Sequence, residues 1–498
     1  IMECHSAYRY MSNWGVIENH GLFEIGVCLP QSEKTKQFIA FAVKNLEVQV
    51  RMQIMPDGVH WEQSPMYHNE VLHCLLDVIL LAKRNDIALP DVILRQTEKM
   101  AMADVAWLKP DHHIVMMGDS DDVDVRDRIS VAAYLFLNPV LRFGGFDRLD
   151  YESIWDLGMK AGEEYVGMER RKPDFTSLFL EHSGNTYFRS DWSERANFLH
   201  LHSGTMGAGH GHSDKLHIDL VVNGEDVLMD GGRYTYVSGS KRFSYKDPSG
   251  HNTITVDDLP FTVCKDSWEC SKLSQPVKEN FRCMELAEFA QAGQLGYMDL
   301  PGGVYVNRKV VYIKPDLYVL ADEMYTGDRH TYQQYFHFNN HGTVTQNAPG
   351  EKKFPCVAYR GKMAEADFYF VSAQVKAELK SGHIARHYNV EEENTVCKVT
   401  KQGEGFTSLI TVIDAQPGRP LSIEKLPVRS ALKQTDYPET MAEALKITAG
   451  EKEYVVILCH QEVNSPTDLV EVDGCMGYGN VIVFDKAGDV LVGDVLNW

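Results

Sequence analysis

Histidines and a carboxylate cluster in three short segments near the middle of the chain, at residues 209–214 (GHGHSD), 230–232 (DGG) and 251–253 (HNT). If the first segment is a strand, His210 and His212 share a face, because side chains alternate along a strand. Two imidazoles and one carboxylate from three adjacent strands suit a zinc ion, and we predict His212, Asp230 and His251 as its ligands. His210 is then free to act on a substrate. A polar, hydrogen-bonded cluster without metal is the alternative.

Two segments of the N-terminal third could also carry chemistry. Asn19 and His20 offer an amide donor and an imidazole to one oxyanion, such as a carboxylate or an enolate. Pro65 restrains the residue before it to an extended geometry, which places Tyr67 near a helix start. A phenol there can serve as base and acid if neighbouring donors lower its pKa. The alternatives are that Asn19 and His20 cap or bridge helices and that Tyr67 is buried with its hydroxyl satisfied.

The elements that would position these residues follow from hydrophobic periodicity. A spacing of about 3.6 residues predicts helices over residues 32–54, 69–81, 91–108 and 126–137, which fit either an α/α toroid or a simple bundle. From about residue 175 the pattern becomes short and alternating, with predicted strands at 197–201, 217–222 and 227–229 and a hairpin formed by 309–313 and 317–321. We therefore predict an α+β multidomain protein: a helical domain at 1–170, an antiparallel β-sandwich at 171–415 and a small C-terminal β domain at 416–498.

Composition excludes several classes of partner. The net charge of −21, from 70 acidic and 49 basic residues, disfavours nucleic acid. No apolar run approaches the roughly 20 residues that cross a bilayer, so we expect no membrane partner. The ten cysteines form no CxxC unit, and we interpret them as reduced thiols of a cytoplasmic protein. The N-terminus resembles neither an intact signal peptide nor a natural start, which indicates a processed chain or a fragment.

Several of these motifs, in this order, resemble those of a known family. Residues 19–24 (NHGLFE), 57–68 and 117–120 (MGDS) look like the helical-domain motifs of heparinase III-type lyases. Residues 209–214, 230–232 and 251–253 resemble the β-domain motifs of the wider heparinase II/III group, which includes oligoalginate lyases. The resemblance is strong from about residue 12 to 260. It implies an (α/α) toroid followed by a β-sandwich, with the toroid incomplete because about 170 residues are fewer than the family's helical region.

The resemblance also implies residue roles. Asn19, with His20 beside it, would neutralise a uronate carboxylate, while Tyr67 and His210 would act as acid and base. The zinc ion would be structural, held by the three ligands predicted above. Substrate-binding roles are expected for Glu24, His68, Tyr234 and Tyr236.

The expected activity is β-elimination on a uronic-acid polysaccharide, which leaves an unsaturated uronate. Heparin or heparan sulfate is the leading substrate, and alginate or another unsulfated uronate polymer remains open. The rival functions are an inactive, glycan-binding relative and a zinc-dependent hydrolase, and a homodimer is also left open. The lyase hypothesis requires Tyr67 and His210, which lie far apart in the sequence, to converge on one cleft.

Overall fold

The computed structural model describes residues 1–3, 5–348, 350, 352–486 and 491–497, without the side chain of Lys278. The helices are α1 Ala7–Met11, α2 Asn13–Cys28, α3 Glu33–Gln53, α4 Pro65–Arg84, α5 Asp91–Trp107, α6 Arg126–Phe136, α7 Pro139–Gly144, α8 Tyr151–Leu157, α9 Met159–Val166 and α10 Ser240–Lys246, with a 3-10 turn at Pro248–Gly250. The strands are β1 Leu178–Leu180, β2 Asn185–Arg189, β3 Phe198–His202, β4 His217–Val222, β5 Glu225–Leu228, β6 Ile254–Val256, β7 Val263–Cys264, β8 Cys270–Lys272, β9 Pro276–Cys283, β10 Ala287–Tyr297, β11 Val304–Ile313, β12 Leu317–Phe338, β13 Thr343–Gln346, β14 Cys356–Arg360, β15 Glu365–Phe370, β16 Lys376–His387, β17 Val390–Asp414, β18 Leu421–Leu426, β19 Arg429–Ser430, β20 Ala442–Ala449, β21 Lys452–Cys459, β22 Val470–Val472, β23 Cys475–Gly477, β24 Val481–Asp485 and β25 Val492–Asn497.

The N-terminal part is helical, as the periodicity predicts, and α3 to α6 match the four predicted segments closely. Local capping explains where two of the helices begin. Ser32 and Thr35 form a reciprocal capping box at α3, and Pro65 occupies the first turn of α4, where its missing N–H costs nothing. Helix α4 packs against α2, α5 and α6. Closure of these helices into a toroid stays a prediction.

The second part is a large antiparallel sheet in which β12 pairs along its length with β17 and, over its first half, with β11. The predicted hairpin is confirmed, because β11 and β12 pair in register from Ile313 and Leu317 outward. Strands β1 to β5 follow in sequence order along one side of this sheet. They carry the loops that reach the helical part. All ladders between these strands are antiparallel, so the predicted α+β class is confirmed.

Strands β18, β20, β21, β24 and β25 form a separate five-stranded sheet. Its Leu445 and Val456 share a buried core with Val319 and Val412 of the large sheet. The C-terminal strands therefore pack face to face on the preceding sheet and share its core.

One local prediction was wrong: residues 209–214 form a loop between β3 and β4. The N–H of Gly211 bonds the carbonyl of Ala208 at 3.0 Å, which is a turn rather than a strand pairing. A Cβ atom on Gly211 would lie 1.6 Å from the carbonyl oxygen of Met206, so this turn requires a glycine. The metal candidates Asp230 and His251 likewise follow β5 and the 3-10 turn, outside the strands.

The described cysteines are all free thiols, and Cys4 lies outside the described residues. Among the helices that the structure describes, none combines the length and apolar character needed to cross a bilayer.

Candidate active site

Tyr67 and His210 meet at the junction of the helical and β parts. Tyr67 stands in the first turn of α4, and His210 lies in the loop between β3 and β4. Their rings stack with centroids 3.5 Å apart and an interplanar angle of 17°. Two residues that are distant in sequence thus form one surface, as the lyase hypothesis requires.

The turn at residues 117–120 fixes both partners. The backbone N–H of Asp119 donates to the carbonyl of His210 at 2.8 Å, and Ser120 Oγ accepts from the N–H of Met66 at 3.1 Å. Gly118 has a φ of +61°, and a Cβ atom there would lie 2.8 Å from the His210 carbonyl oxygen. This close approach needs a glycine, which explains the glycine of the MGDS motif.

Asp119 orients two histidines at once. Its carboxylate accepts from His210 Nδ1 at 3.0 Å and from His212 Nε2 at 2.8 Å, and it pairs with Arg242 at 2.6 Å. Burial alone would raise the pKa of Asp119, but the two histidine hydrogen bonds and the guanidinium hold it well below its usual range. Because an ionised carboxylate only accepts, the protons lie on those two nitrogens. His210 Nε2 and His212 Nδ1 are the ring nitrogens that Asp119 does not use. Burial lowers the pKa of His212 to about 3, so its Nδ1 carries a lone pair.

The Tyr67 hydroxyl ends a short hydrogen-bond relay. It lies 2.7 Å from the Tyr236 hydroxyl, which accepts from Arg233 at 2.5 Å. Asp121 holds the same guanidinium through two bonds of 2.6 and 2.7 Å. Burial raises the pKa of Tyr67, whereas the Tyr236 hydroxyl and the Arg233 charge act to lower it. Since arginine can only donate, the Tyr236 proton is free to point at Tyr67 and support a phenolate.

Aromatic side chains surround this relay and reach the surface. Trp268, 51% exposed, packs edge-on against His210 at 5.2 Å and tilts against Tyr236 at 5.1 Å. Tyr388 contacts the other side of Tyr236 at 5.3 Å. Such exposed rings provide apolar surface beside polar groups, which suits a sugar.

The amide of Asn13 is connected to this pair through Glu62. Its Nδ2 donates to Glu62 Oε2 at 2.9 Å. Burial raises the pKa of Glu62, and Glu62 interacts electrostatically with both His210 and Tyr67. Asn13 is the first residue of α2 and lies six residues before Asn19.

The structure does not bring Asn19 or His20 to this surface. Asn19 is fully buried, with its amide bonded to the Gly15 carbonyl at 2.7 Å and to Asn45 at 3.1 Å. Six residues turn an α-helix by about 600°, so Asn13 and Asn19 point in different directions. His20 faces Asp77 of α4 at 3.4 Å, about 15 Å along that helix from Tyr67. The capping-or-bridging alternative describes both residues better.

The predicted substrate contacts are only partly brought together. Tyr236 lies in the relay, whereas Tyr234 stacks on Tyr245 at 5.4 Å. His68 is fully buried, and its Nε2 faces the Met100 carbonyl at 3.1 Å, because one helical residue rotates the side chain by about 100° away from Tyr67. Glu24 is directed to His20 at 3.6 Å, away from the Tyr67 surface.

The predicted zinc ligands do come together. His212, Asp230 and His251 each offer one ligand atom within 4.8 Å of the others, and all three are buried. In the described part of the chain, His212 Nδ1 and His251 Nε2 are buried without a hydrogen-bond partner. Two orphaned imidazole nitrogens beside a carboxylate fit a zinc ion. The bond from His212 Nε2 to Asp119 has the pattern of a metal-binding histidine held by a second carboxylate.

Sequence reasoning missed most of the supporting residues. Two of them stood beside quoted motifs: Asp119 lies within MGDS, and Arg233 directly follows the DGG segment. Glu62 lies within the quoted 57–68 segment but was given no role. Asn13, Arg242 and Trp268 carry no local signal of their own, since only the tertiary fold brings them to this region.

Comparison with known proteins agrees with this architecture. The sequence model of the heparinase II/III N-terminus matches residues 4–139, and that of the heparinase II/III-like C-terminal region matches residues 172–420. A heparin-sulfate lyase of Pedobacter heparinus is 26% identical over 286 residues, which cover 53% of this chain and 40% of that protein. One of Bacteroides thetaiotaomicron is 23% identical over 339 residues, covering 64% and 45%.

Solved structures show the same fold. A heparan sulfate lyase of Pedobacter heparinus superposes with a TM-score of 0.71 at 18% identity, covering 90% of this chain and 66% of that one. A heparinase III gives a TM-score of 0.74 at 16% identity, with the same two shares covered. The chain spans less than half the length of the two curated relatives. Together, the two matched regions and the shared fold place this chain in the heparinase II/III family.

Proposed function

We propose that this chain carries the catalytic surface of a polysaccharide lyase that cleaves a uronic-acid glycan by β-elimination. The stacked pair of Tyr67 and His210 carries the proposal, because it puts a phenol and an imidazole side by side on a partly open surface. The names of the curated relatives, heparin-sulfate lyases, support heparan sulfate as the leading substrate.

β-Elimination first requires that the uronate carboxylate be neutralised, because the C5 proton is otherwise scarcely acidic. We assign this task to the Asn13 amide in place of Asn19. Its Nδ2 carries two protons, and only one is used by Glu62. The second proton can meet a substrate carboxylate, and the buried Glu62 keeps the amide oriented.

Tyr67 and His210 then move protons. With the Tyr236 proton directed at its oxygen, Tyr67 can take the C5 proton as a phenolate and deliver it to the leaving oxygen. His210 offers Nε2 as the second acid–base group, since Asp119 holds its other nitrogen protonated. Such a pair could serve either face of the sugar acid.

The zinc ligands support a structural role. Asp230 and His251 are fully buried and His212 is 1% exposed, so protein encloses all three ligands. When bound there, zinc would tie the 209–214 loop to the segments that follow β5 and the 3-10 turn, and its main effect would be on stability. Enclosure favours this role over activation of a water molecule, the chemistry of a hydrolase. Metal analysis of protein purified without added zinc tests this proposal, and folded, metal-free protein would refute it.

The activity test follows the product. A lyase leaves a conjugated, unsaturated uronate that absorbs ultraviolet light, whereas a hydrolase leaves a saturated end. Heparan sulfate, alginate and hyaluronan should each be incubated with the wild type, with Tyr67→Phe and with Tyr134→Phe. Tyr134 is the matched control, because its hydroxyl bonds Glu164 within the helical part.

We expect the wild type to raise the absorbance with heparan sulfate, and Tyr67→Phe to lower kcat by about 10²- to 10⁴-fold, the usual contribution of a positioned acid or base. The Tyr134→Phe variant should retain wild-type turnover. Normal turnover by Tyr67→Phe, or saturated products from the wild type, would refute the proposal. If the absorbance rises only with alginate, the proposed reaction stands and alginate replaces heparan sulfate as the proposed substrate.

A further inference from the structure

A second cluster of metal-binding side chains lies between α2 and α4, away from the Tyr67 surface. Helix α2 presents His20 and Glu24, and α4 presents His73 and Asp77. Each pair is spaced i,i+4, so its two side chains lie on one face of their helix. Two facing helices with such pairs can surround a metal ion with two imidazoles and two carboxylates.

The distances in this cluster fit shared ligation better than hydrogen bonding. His20 Nε2 lies 3.4 Å from Asp77 Oδ2 and 3.6 Å from Glu24 Oε1, and His73 Nε2 lies 3.7 Å from the same Asp77 oxygen. Good N–H···O bonds measure about 2.7–3.2 Å. Two ligands of a tetrahedral zinc ion, each about 2.1 Å from the metal, lie about 3.4 Å apart.

His20 Nε2 is the central atom of the cluster. It is buried, and it has no hydrogen-bond partner within the described ranges. A buried imidazole nitrogen without a partner is costly. The ligand atoms of His20, Glu24 and Asp77 all lie within 4.8 Å of one another. One cation placed among them would satisfy the orphaned nitrogen and both carboxylates.

The local charge also favours a cation. With neutral imidazoles, Glu24 and Asp77 give the cluster a charge of about −2. Among the described residues, their ion-pair partners within 4.0 Å are histidines. This negative charge would attract a metal ion.

The cluster is open enough for an ion to enter. The side chains of Glu24 and His73 are 45% and 35% exposed, whereas that of His20 is 13% exposed. The site therefore has a buried nitrogen at its base and exposed ligands at its mouth.

We propose that His20, Glu24 and Asp77 form a second metal site, with His73 at its rim, which binds a divalent transition-metal ion of the zinc class and links α2 to α4. Imidazole with carboxylate ligands suits zinc, and the partly exposed rim leaves room for a water ligand. The site is independent of the proposed lyase activity, because no residue of it touches Tyr67 or His210.

The test is a calorimetric titration of chelator-treated, folded protein with zinc chloride. Asp77→Asn keeps the shape of the side chain and removes its charge, and His20→Ala removes the central ligand. His383→Ala is the matched control, because His383 is an exposed histidine on β16. A His251→Ala background separates this site from the one in the β part.

We expect both Asp77→Asn and His20→Ala to lose one zinc equivalent, or at least tenfold in affinity, in either background, while His383→Ala binds like the wild type. The cobalt-loaded protein should lose the corresponding visible absorption bands in the same two variants. If His20→Ala fails to fold, Asp77→Asn alone decides. Unchanged zinc binding by Asp77→Asn, or a wild type whose zinc uptake His251→Ala abolishes completely, would overturn the proposal and leave His20 as a protonated, ion-paired side chain.

Discussion

The relay behind Tyr67 makes a quantitative prediction for Tyr236→Phe. This change removes the hydroxyl that lies 2.7 Å from Tyr67 and 2.5 Å from Arg233, and it leaves the ring to pack against Trp268. A hydrogen bond to a charged group contributes about 1.5–3 kcal/mol. If Tyr67 develops phenolate character in the transition state, kcat/KM should fall by about 10- to 160-fold.

The pH dependence of kcat/KM should shift in a defined direction in Tyr236→Phe. The hydroxyl of Tyr236 lowers the pKa of Tyr67, which burial has raised. Without that hydroxyl the pKa of Tyr67 rises further, by about 1–2 units for the same energy. Because the base form is the phenolate, the rising limb of kcat/KM should move to higher pH by the same amount.

The assay is the initial rate of ultraviolet absorbance on heparan sulfate across a pH series. Tyr388→Phe is the local control: Tyr388 packs on Tyr236 at 5.3 Å, and its hydroxyl has no hydrogen bond in the described part of the chain. We expect it to change kcat/KM by less than about twofold, or about 0.5 kcal/mol. A Tyr236→Phe variant with wild-type kcat/KM and an unmoved pH profile would refute the relay.

Three further predictions concern neighbouring residues. Asn13→Ala should lower kcat/KM about tenfold or more, because the substrate carboxylate loses one charge-assisted hydrogen bond. Asn19→Ala should instead lower the free energy of unfolding, measured in urea, by about 1–3 kcal/mol and leave kcat/KM unchanged. The opposite pattern would restore Asn19 to the site. Gly118 has a φ of +61°, so Gly118→Ala should destabilise the fold by more than about 1 kcal/mol. It should also lower kcat, because the new Cβ displaces His210. A variant as stable as the wild type would contradict the close approach of Gly118 to His210. Asp119 has a folded-state pKa well below its ordinary value of 3.8, so its stabilisation is present above that pH and is lost as the pH falls below it. Asp119→Asn should lower the free energy of unfolding by about 3–5 kcal/mol near neutral pH and should flatten its fall at acid pH, as measured by denaturation curves. If the free energy of unfolding of the variant falls with acid as it does in the wild type, Asp119 is not the source of that pH dependence.

The fold was predictable because its signals are local. Helix α3 begins at a capping box and ends one residue before the predicted boundary at Ile54. The β11–β12 hairpin turns at a proline-containing segment that interrupts two apolar runs. In both cases the boundary depends on a few adjacent residues, so the sequence contains the necessary information.

The site was only partly predictable, because its contacts are long-range. Tyr67 could be found from the proline that starts its helix, and His210 from the density of histidines around it. The amide was assigned to Asn19 because it is adjacent to a histidine, but helix geometry directs Asn13 to the site. Arg233 reaches Tyr67 only through Tyr236, a contact that no spacing rule encodes.

The segment GHGH shows why neighbouring histidines can have different tasks. His210 and His212 both donate to Asp119, but through opposite ring nitrogens, Nδ1 in the first and Nε2 in the second. The free nitrogen of His210 therefore faces the Tyr67 surface, and that of His212 faces Asp230 and His251. One buried carboxylate thus sets both tautomers. If zinc binds at His212, Asp230 and His251 as proposed, Asp119 connects that site to His210, because its carboxylate accepts hydrogen bonds from both His210 and His212.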